Sequence, residues 1–304
     1  MQETIIFQTK NLNKSYGSTV AISDISLQVE KGEIYGILGP NGSGKTTTLS
    51  IATGILSQDH GEFSWFNTFP DHNSRKRIGS MIEIPHFYPY LSLIKNLRLV
   101  SLIKEIGLGD IERVLKLVNL YDRRNSKFRT LSLGMKQRLG IAAALLGDPE
   151  VLVLDEPANG LDPEGIAEVR DLIIEEGKRG KTIIMASHIL SEVEKVCSHL
   201  AIFKNGKILE QGRVNSIVGG ESILELESKD LKILYTVLSD CEFVSSVKHG
   251  SDGLMVSLEK SSTASELNAY LFSKSIILSK IVHHKKSLES QFLELVKDSP
   301  NNLD

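Results

Sequence analysis

The stretch GPNGSGKTT, from Gly39 to Thr47, has the residue types and spacing of a phosphate-binding loop. It fits the pattern G-x-x-x-x-G-K-[ST]. Glycines let successive backbone N–H groups turn toward phosphate oxygens, and the N-terminus of a following helix adds positive potential there. Lys45 would neutralise the β- and γ-phosphates, and the Thr46 hydroxyl would ligate Mg²⁺. The loop residues predicted to contact a nucleotide are Gly39, Pro40, Asn41, Gly42, Ser43, Gly44, Lys45, Thr46 and Thr47.

The segments on either side of the loop favour nucleotide binding over the simpler alternative, a glycine-rich turn with a surface lysine. GEIYGILG, which precedes the loop, is a short apolar strand, and KTTTLSIATGIL continues with the apolar spacing of a helix. Strand, loop and helix in that order are the context that the phosphate-binding pattern needs.

Two adjacent acids, Asp155 and Glu156, come at the end of the apolar run VLVLDEP. A run without a polar face is expected of a parallel strand buried on both sides, and α/β sheets bind ligands beyond the carboxyl ends of such strands. Asp155 would hold Mg²⁺ through a water molecule, and Glu156 would orient or deprotonate the attacking water. Without the phosphate-binding loop, the same pair would indicate a solvated turn.

The stretch LSLGMKQR resembles the signature sequence of ABC-transporter ATPases, whose usual core is L-S-G-G-Q. Ser132 and Gly134 are kept, whereas Leu133 and Met135 stand where glycine and glutamine are usual. A serine hydroxyl and a glycine N–H at the start of the helix KQRLGIAAALL would form an anion site. Taken alone, Ser132 would be only a helix cap.

The resemblance to ABC ATPases implies roles for further residues. Tyr16 in KSYG would stack on the adenine ring, whereas the structural alternative is a tyrosine at a strand end. Asp162 in NGLD would link two ATP sites across a dimer. His188 in ASHILSEVE would contact the γ-phosphate and complete the catalytic group with Lys45 and Glu156.

The stretch IGSMIEIPHFY places one carboxylate, Glu83, where most ABC ATPases have a glutamine that contacts Mg²⁺ and senses the γ-phosphate. A glutamate keeps the oxygen ligand and adds a charge, which is favourable toward Mg²⁺ and unfavourable toward phosphate. This replacement resembles the ATPases of bacitracin and lantibiotic self-protection exporters, although His86 stands where those have glycine. The aromatic residues of the following FYPY would either grip a permease helix or form a small core beneath a helical insertion.

The elements that must position these residues indicate an α/β fold with two domains. Residues 1–216 would form a P-loop NTPase core of the ABC type, with an antiparallel β subdomain, a parallel-sheet core and a helical insertion at about 84–146. The glycine pair Gly219–Gly220 indicates a boundary near Ser216 to Gly220. Residues 217–304 follow the order strand, helix, hairpin, helix, strand, helix, which predicts a small α+β accessory domain of ferredoxin-like pattern. We expect it to serve dimerisation or regulation.

Composition limits the partners. The formal net charge of the 304 residues is -3, so no basic excess is available to hold a nucleic acid. The only two cysteines lie far apart and match no metal-ligand spacing, which favours a reducing, cytosolic setting. No apolar run reaches the roughly 18 residues that a membrane span needs, so membrane coupling would require separate subunits.

Together these features predict an ATP-hydrolysing motor subunit of an ABC exporter, with ATP and Mg²⁺ as ligands, at the cytoplasmic face of the cell membrane. In this family the signature acts on the ATP of the opposite protomer, which implies a second nucleotide-binding chain, most simply a copy. Separate integral-membrane permease subunits would carry a drug or peptide antibiotic. The alternative is a soluble ABC ATPase, although a long coiled-coil insertion or a second ATPase domain would be usual there. A GTPase or small-molecule kinase is disfavoured because LSLGMKQR would have no role.

Overall fold

The computed structural model describes residues 5–83, 85–218, 223–250, 253–259, 262–284, 288–289 and 291–292. The chain divides into two compact units, Met1–Arg213 and Val214–Asp304. The described strands are β1 (Ile5–Tyr16), β2 (Thr19–Glu30), β3 (Ile34–Leu38), β4 (His60–Trp65), β5 (Ile78–Met81), β6 (Val151–Asp155), β7 (Thr182–Ser187), β8 (His199–Lys204), β9 (Lys207–Arg213), β10 (Ile223–Ser228), β11 (Val244–His249), β12 (Leu254–Leu258) and β13 (Leu278–His284). The described α-helices are α1 (Lys45–Ala52), α2 (His72–Lys76), α3 (Leu93–Ile103), α4 (Ile111–Leu117), α5 (Leu133–Leu145), α6 (Pro163–Lys178), α7 (Leu190–Val196), α8 (Val214–Val218), α9 (Leu231–Ser239) and α10 (Ala264–Ser273).

A six-stranded sheet with the order β5-β6-β7-β3-β8-β9 forms the centre of the first unit. Strands β5, β6, β7, β3 and β8 run parallel, and β9 pairs antiparallel with β8. All residues of β6 and β7 are buried, as expected of strands covered on both faces. The carboxyl ends of four neighbouring strands, β5, β6, β7 and β3, therefore lie at one edge of the sheet.

A second, antiparallel sheet of the first unit has the order β2-β1-β4. Gly17 has a φ of 60° in the tight turn between β1 and β2, where Tyr16 pairs with Thr19. Trp65 of β4 is buried against Phe7, and its indole nitrogen donates to the backbone carbonyl of Ala52 at 2.7 Å. This hydrogen bond ties the antiparallel sheet to the end of α1.

The helices between β5 and β6 pack around α5. A side chain at Gly79 of β5 would overlap the backbone carbonyl of Ala144, so α5 lies directly against the sheet edge. The Lys104 ammonium donates to the carbonyls of Ala143, Ala144 and Leu146 at the end of α5, and burial lowers the pKa of Lys104 to about 8. Of the helices within the described ranges, none is long and apolar enough to cross a membrane.

The second unit contains a four-stranded antiparallel sheet with the order β11-β12-β10-β13. In chain order its elements are strand, helix, two strands, helix and strand. Helices α9 and α10 contribute Leu234, Leu238, Leu267 and Leu271 to a core shared with the sheet. Gly219–Gly220 and most of the predicted terminal helix lie outside the described residues.

Both cysteines are free thiols inside the protein. Cys197 follows α7 and Cys241 follows α9, and each is buried. Burial raises the pKa of the Cys197 thiol, because an ionised thiolate would be poorly solvated there. Thiols in such surroundings react slowly, since the thiolate is the reactive form.

Candidate active site

The loop between β3 and α1 can be formed only by glycine at two of its positions. A side chain at Gly39 would come within 2.5 Å of the Phe203 carbonyl oxygen, and one at Gly44 would come within 2.5 Å of the Ile22 side chain. Gly44 also has a φ of 103°. Helix α1 begins at Lys45 without a side-chain cap, so its first N–H groups face the loop and favour an anion.

The buried Lys45 ammonium lies inside this loop. It donates to the carbonyls of Gly39 at 2.8 Å and Pro40 at 3.2 Å, and it lies 3.5 Å from Glu156 Oε1. The Ser43 hydroxyl is buried and has no hydrogen-bond partner among the residues the structure describes. A positive side chain and an unsatisfied hydroxyl next to uncapped N–H groups fit a phosphate group.

Asp155, at the end of β6, is only 2% exposed. Its Oδ1 atom has no hydrogen-bond partner within the described part of the chain. Burial raises the pKa of Asp155, the charges of Glu156 and Glu83 raise it further, and a hydrogen bond with Thr46 and the charge of Lys45 oppose them. A cation at this carboxylate would offset both the burial and the repulsion, so these residues fit Mg²⁺.

Glu156 and His188 form a close pair beyond the ends of β6 and β7. Glu156 Oε2 lies 2.8 Å from His188 Nδ1 and accepts from the His188 backbone N–H at 3.3 Å. The Glu156 backbone has a φ of 49°, and its N–H donates to the Ala186 carbonyl. This main-chain conformation directs the carboxylate toward Lys45, where it can act as a general base.

A cavity of about 360 Å³ lies beside Asp155 and Glu156, at the ends of the parallel strands. It contains all three residues predicted to ligate Mg²⁺, because α1, β6 and the segment after β5 converge there. Glu83 itself has a φ of 57°. The lining residues are Thr46, Glu83, Leu133, Gln137, Asp155, Glu156, Asn159 and Gly160.

Comparisons with known proteins identify the family. Residues 22–159 match the model of the ABC transporter family. The bacitracin transport ATP-binding protein BcrA of Enterococcus faecalis is 33% identical over 297 residues, covering 96% of each chain. The chain belongs to the ABC transporter family. The lantibiotic transport ATP-binding protein SrtF of Streptococcus pyogenes is 37% identical over 221 residues, which are 73% of this chain and 95% of that one.

Solved structures of ABC ATPases share the fold of the nucleotide-binding unit. An ATP-binding subunit of an ABC transporter superposes with a TM-score of 0.65 and 27% identity, over 77% of this chain and 100% of that chain. A dimeric ATP-binding cassette in a post-hydrolysis state, bound to ADP and Pi, superposes with a TM-score of 0.63 and 26% identity, over 69% of this chain and 99% of that chain. The predicted fold class is confirmed, and the protein is an ABC-type ATPase.

Three of the predicted site residues serve as helix caps or lie elsewhere in this ABC ATPase. The Ser132 hydroxyl accepts from the Met135 N–H at 3.3 Å and caps α5. Asp162 Oδ1 accepts from the Gly165 N–H at 2.9 Å and caps α6. Tyr16 lies at the end of β1 and is half exposed. Of the predicted site residues, only Thr46, Glu83, Asp155 and Glu156 line the cavity. The nucleotide and metal roles of all the predicted residues remain predictions.

Two residues of α5 line the cavity, although neither was predicted to act in the site. Gln137 is 5% exposed, and its Nε2 donates to the Glu156 carbonyl at 3.0 Å. Leu133 lies next to Gly160, since a side chain added at Gly160 would come within 2.5 Å of Leu133 Cδ2. The spacing of four residues, which places both side chains on one helix face, was the only signal in the sequence.

The aromatic residues after Glu83 divide between the two predicted roles. Phe87 is half-buried and packs edge-to-face on Phe128 with ring centroids 5.3 Å apart, as in a small core. Tyr88 and Tyr90 are 54% and 64% exposed. The tyrosines are therefore the part of this run that is available to a partner.

Proposed function

We propose that this ABC ATPase is the motor subunit of an exporter, located at the cytoplasmic face of the membrane and coupled to separate permease subunits. The match to bacitracin transport ATP-binding proteins carries this proposal, because it extends over 96% of both chains and so includes the second unit. The cargo would be a drug or peptide antibiotic. The cavity at the edge of the parallel sheet, lined by Asp155 and Glu156, would hold part of the ATP-hydrolysing site.

Within the cavity, Thr46, Glu83 and Asp155 would hold Mg²⁺. Beside it, Lys45 and the uncapped start of α1 would bind the phosphates. The metal ion neutralises phosphate charge when it is bound. Glu156 would accept a proton from the attacking water at a carboxylate oxygen. His188 would hold that carboxylate in place, since its ring nitrogen lies 2.8 Å from Glu156 Oε2.

A second copy of the chain would complete the site. Within this chain, Ser132 and Asp162 cap α5 and α6, and the start of α5 is suited to an anion. We infer that these residues act on the nucleotide of the partner copy. Binding of ATP would then stabilise the dimer, and hydrolysis would weaken it.

Replacement of the proposed base tests the catalytic assignment. Glu156→Gln keeps the size of the side chain but removes its proton acceptor, so hydrolysis should fall by about two to four powers of ten. ATP should remain bound and an ATP-dependent dimer should accumulate in light scattering. Glu175→Gln, an exposed site on α6, is the matched control. Parental turnover in Glu156→Gln would show that another group is the base.

Isolation from the native membrane tests the coupling. The full chain, tagged and cross-linked in cells before extraction, should copurify with an integral-membrane protein of the ABC permease type. Tyr88→Ala with Tyr90→Ala should reduce that recovery without lowering the melting temperature, because both side chains are exposed. Recovery of soluble partners alone would instead support the soluble ABC ATPase.

A further inference from the structure

The side chain of Gln137 on α5 hydrogen-bonds to the main chain of Glu156. Gln137 lies one helical turn after Leu133 on α5, and its amide nitrogen donates to the Glu156 carbonyl at 3.0 Å. The Gln137 side chain is almost fully buried, and the Glu156 side chain is also largely shielded. A hydrogen bond in such surroundings is stronger than one at the surface.

The Glu156 peptide needs this kind of support because its conformation is unfavourable for glutamate. Its φ of 49° is in the left-handed region, which residues other than glycine enter at a cost. The backbone N–H of Asn159 donates to the same carbonyl at 3.0 Å. Gln137 and Asn159 together give the carbonyl two donors, and this fixes the direction in which the Glu156 side chain leaves the main chain.

The orientation of the Glu156 side chain determines its contacts with Lys45 and His188. Oε1 lies 3.5 Å from the Lys45 ammonium and Oε2 lies 2.8 Å from His188 Nδ1. Rotation of the 156 peptide would move both carboxylate oxygens together, and a displacement of about 1 Å in an active site can cost about a hundredfold in rate. A contact that fixes the Glu156 peptide therefore also fixes the position of the proposed base.

We propose that Gln137 is a positioning residue for hydrolysis, which holds the Glu156 peptide so that its carboxylate faces Lys45 and His188. The inference rests on the proposed role of Glu156 as general base. Leu133 lies next to Gly160 on the same helix face, so the first two turns of α5 contact the segment after β6 at Glu156 and at Gly160. Any shift of α5 thus reaches the hydrolytic carboxylate through one amide hydrogen bond.

The experiment compares two glutamine-to-methionine substitutions in the full chain. Gln137→Met keeps the volume and helix propensity of the side chain but cannot donate. Gln211→Met is the matched control, because Gln211 also donates its amide to a backbone carbonyl, that of Ser26, but on β9. We expect Gln137→Met to lower kcat about tenfold or more with KM for ATP changed less than about twofold. Gln211→Met should match the parent in both.

Two measurements distinguish positioning from a purely structural role. The melting temperature of Gln137→Met should show that this variant is folded. If the methionine does not fit, Gln137→Ala is used in its place. The slow residual turnover of Glu156→Gln, measured in long incubations with excess protein, should not fall further when Gln137→Met is added, because both changes act on one group. An additional tenfold loss in the double variant would overturn the proposal.

The remaining outcomes are also decisive. Parental kcat in Gln137→Met, or a KM that rises in parallel with the loss of stability, would show that the amide only stabilises the fold. If Glu156→Gln itself turned over at the parental rate, the proposed base would be wrong. If Glu156→Gln were inactive while Gln137→Met kept the parental kcat, only the positioning role would fail.

Discussion

The starts of helices α1 and α5 are made of similar residues but are used differently. Helix α1 follows a loop shaped by Gly39 and Gly44 and begins without a side-chain cap. Helix α5 begins with Ser132, whose hydroxyl already bonds the Met135 N–H, and with Leu133 lying over Gly160. The first helix start leaves its N–H groups available to a ligand within its own chain, whereas the second is occupied by local contacts.

The difference is that the first N–H groups of α1 have no side-chain cap, whereas the Ser132 hydroxyl caps α5. Uncapped N–H groups carry the full attraction of a helix terminus for anions. A serine cap satisfies one donor and can exchange it for a ligand at a cost of about 1 kcal/mol. We therefore expect changes at α1 to affect binding of ATP by a single chain, and changes at α5 to affect steps that need two chains.

The largest effect is expected at Lys45 of α1, and Lys136 of α5 serves as its comparison. Lys45→Ala removes a buried charge that would contact phosphate, so ATP affinity should fall by about 3 kcal/mol or more, a hundredfold or greater. Lys136→Ala, in the first turn of α5, should change the affinity of the monomer by less than about twofold. Equilibrium binding of a fluorescent ATP analogue measures both. Equal losses would mean that the two helix starts serve the same nucleotide.

The two capping serines separate the second function of α5 from its stability. Ser132→Ala and Ser92→Ala each remove a cap, of α5 and of α3, and each should cost about 1 kcal/mol of unfolding free energy. Only Ser132→Ala should also reduce ATP-dependent dimerisation and hydrolysis, by about tenfold, because a hydroxyl bond to a charged phosphate is lost. Light scattering and a phosphate-release assay would report it. Similar activity in both variants would leave Ser132 as a cap alone.

The pH dependence of stability tests the burial of Asp155, which lies beside Thr46 of α1. Burial raises its pKa in the folded protein, so the folded state binds the proton more tightly than the unfolded state. Stability without ligand should therefore fall as pH rises from the usual aspartate value through the raised pKa. Asp155→Asn should melt a few degrees higher at neutral pH and lose that slope. Thermal melts from pH 4 to 8, with the exposed Asp122→Asn as control, measure it; an unchanged slope would contradict the burial cost.

The smallest effect is expected for Leu133→Gly, which restores the residue usual in the signature. Glycine near a helix start should lower the unfolding free energy by about 1 kcal/mol or less. The contact between Leu133 and Gly160 would also be lost. ATP binding by the monomer should not change, because the phosphate loop is untouched. A large loss of monomer affinity would show that α5 contributes to the nucleotide of its own chain.

The phosphate loop, the buried strand before Asp155 and the helical segment could be predicted from the sequence because each depends on local spacing. The place of Asp155 followed from the rule that α/β sheets bind ligands beyond the carboxyl ends of their strands. The predicted metal role of Thr46 came from the phosphate-loop pattern, and that of Glu83 from the resemblance to ABC ATPases. The alternative weighed for Ser132, a helix cap, is the contact observed within this chain.

The contacts of α5 with the segment after β6 could not be predicted in the same way. Gln137 lies inside a helix, and its partner is a backbone carbonyl 19 positions later, so no residue type at that partner gives a signal. Leu133 was a departure from the signature without a visible reason until its contact with Gly160 was known. Such contacts depend on how two elements pack, which spacing along the chain does not report.

The burial of both thiols has a practical consequence for labelling the start of α5. Cys197 and Cys241 are shielded from solvent, so maleimide or spin-label reagents should modify an introduced surface cysteine in preference to them. A cysteine at the exposed position 133 would place one reporter on the start of α5. Because a dimer of copies would carry the label twice, a single substitution would yield an intermolecular distance, measurable with and without ATP, on the native cysteine background.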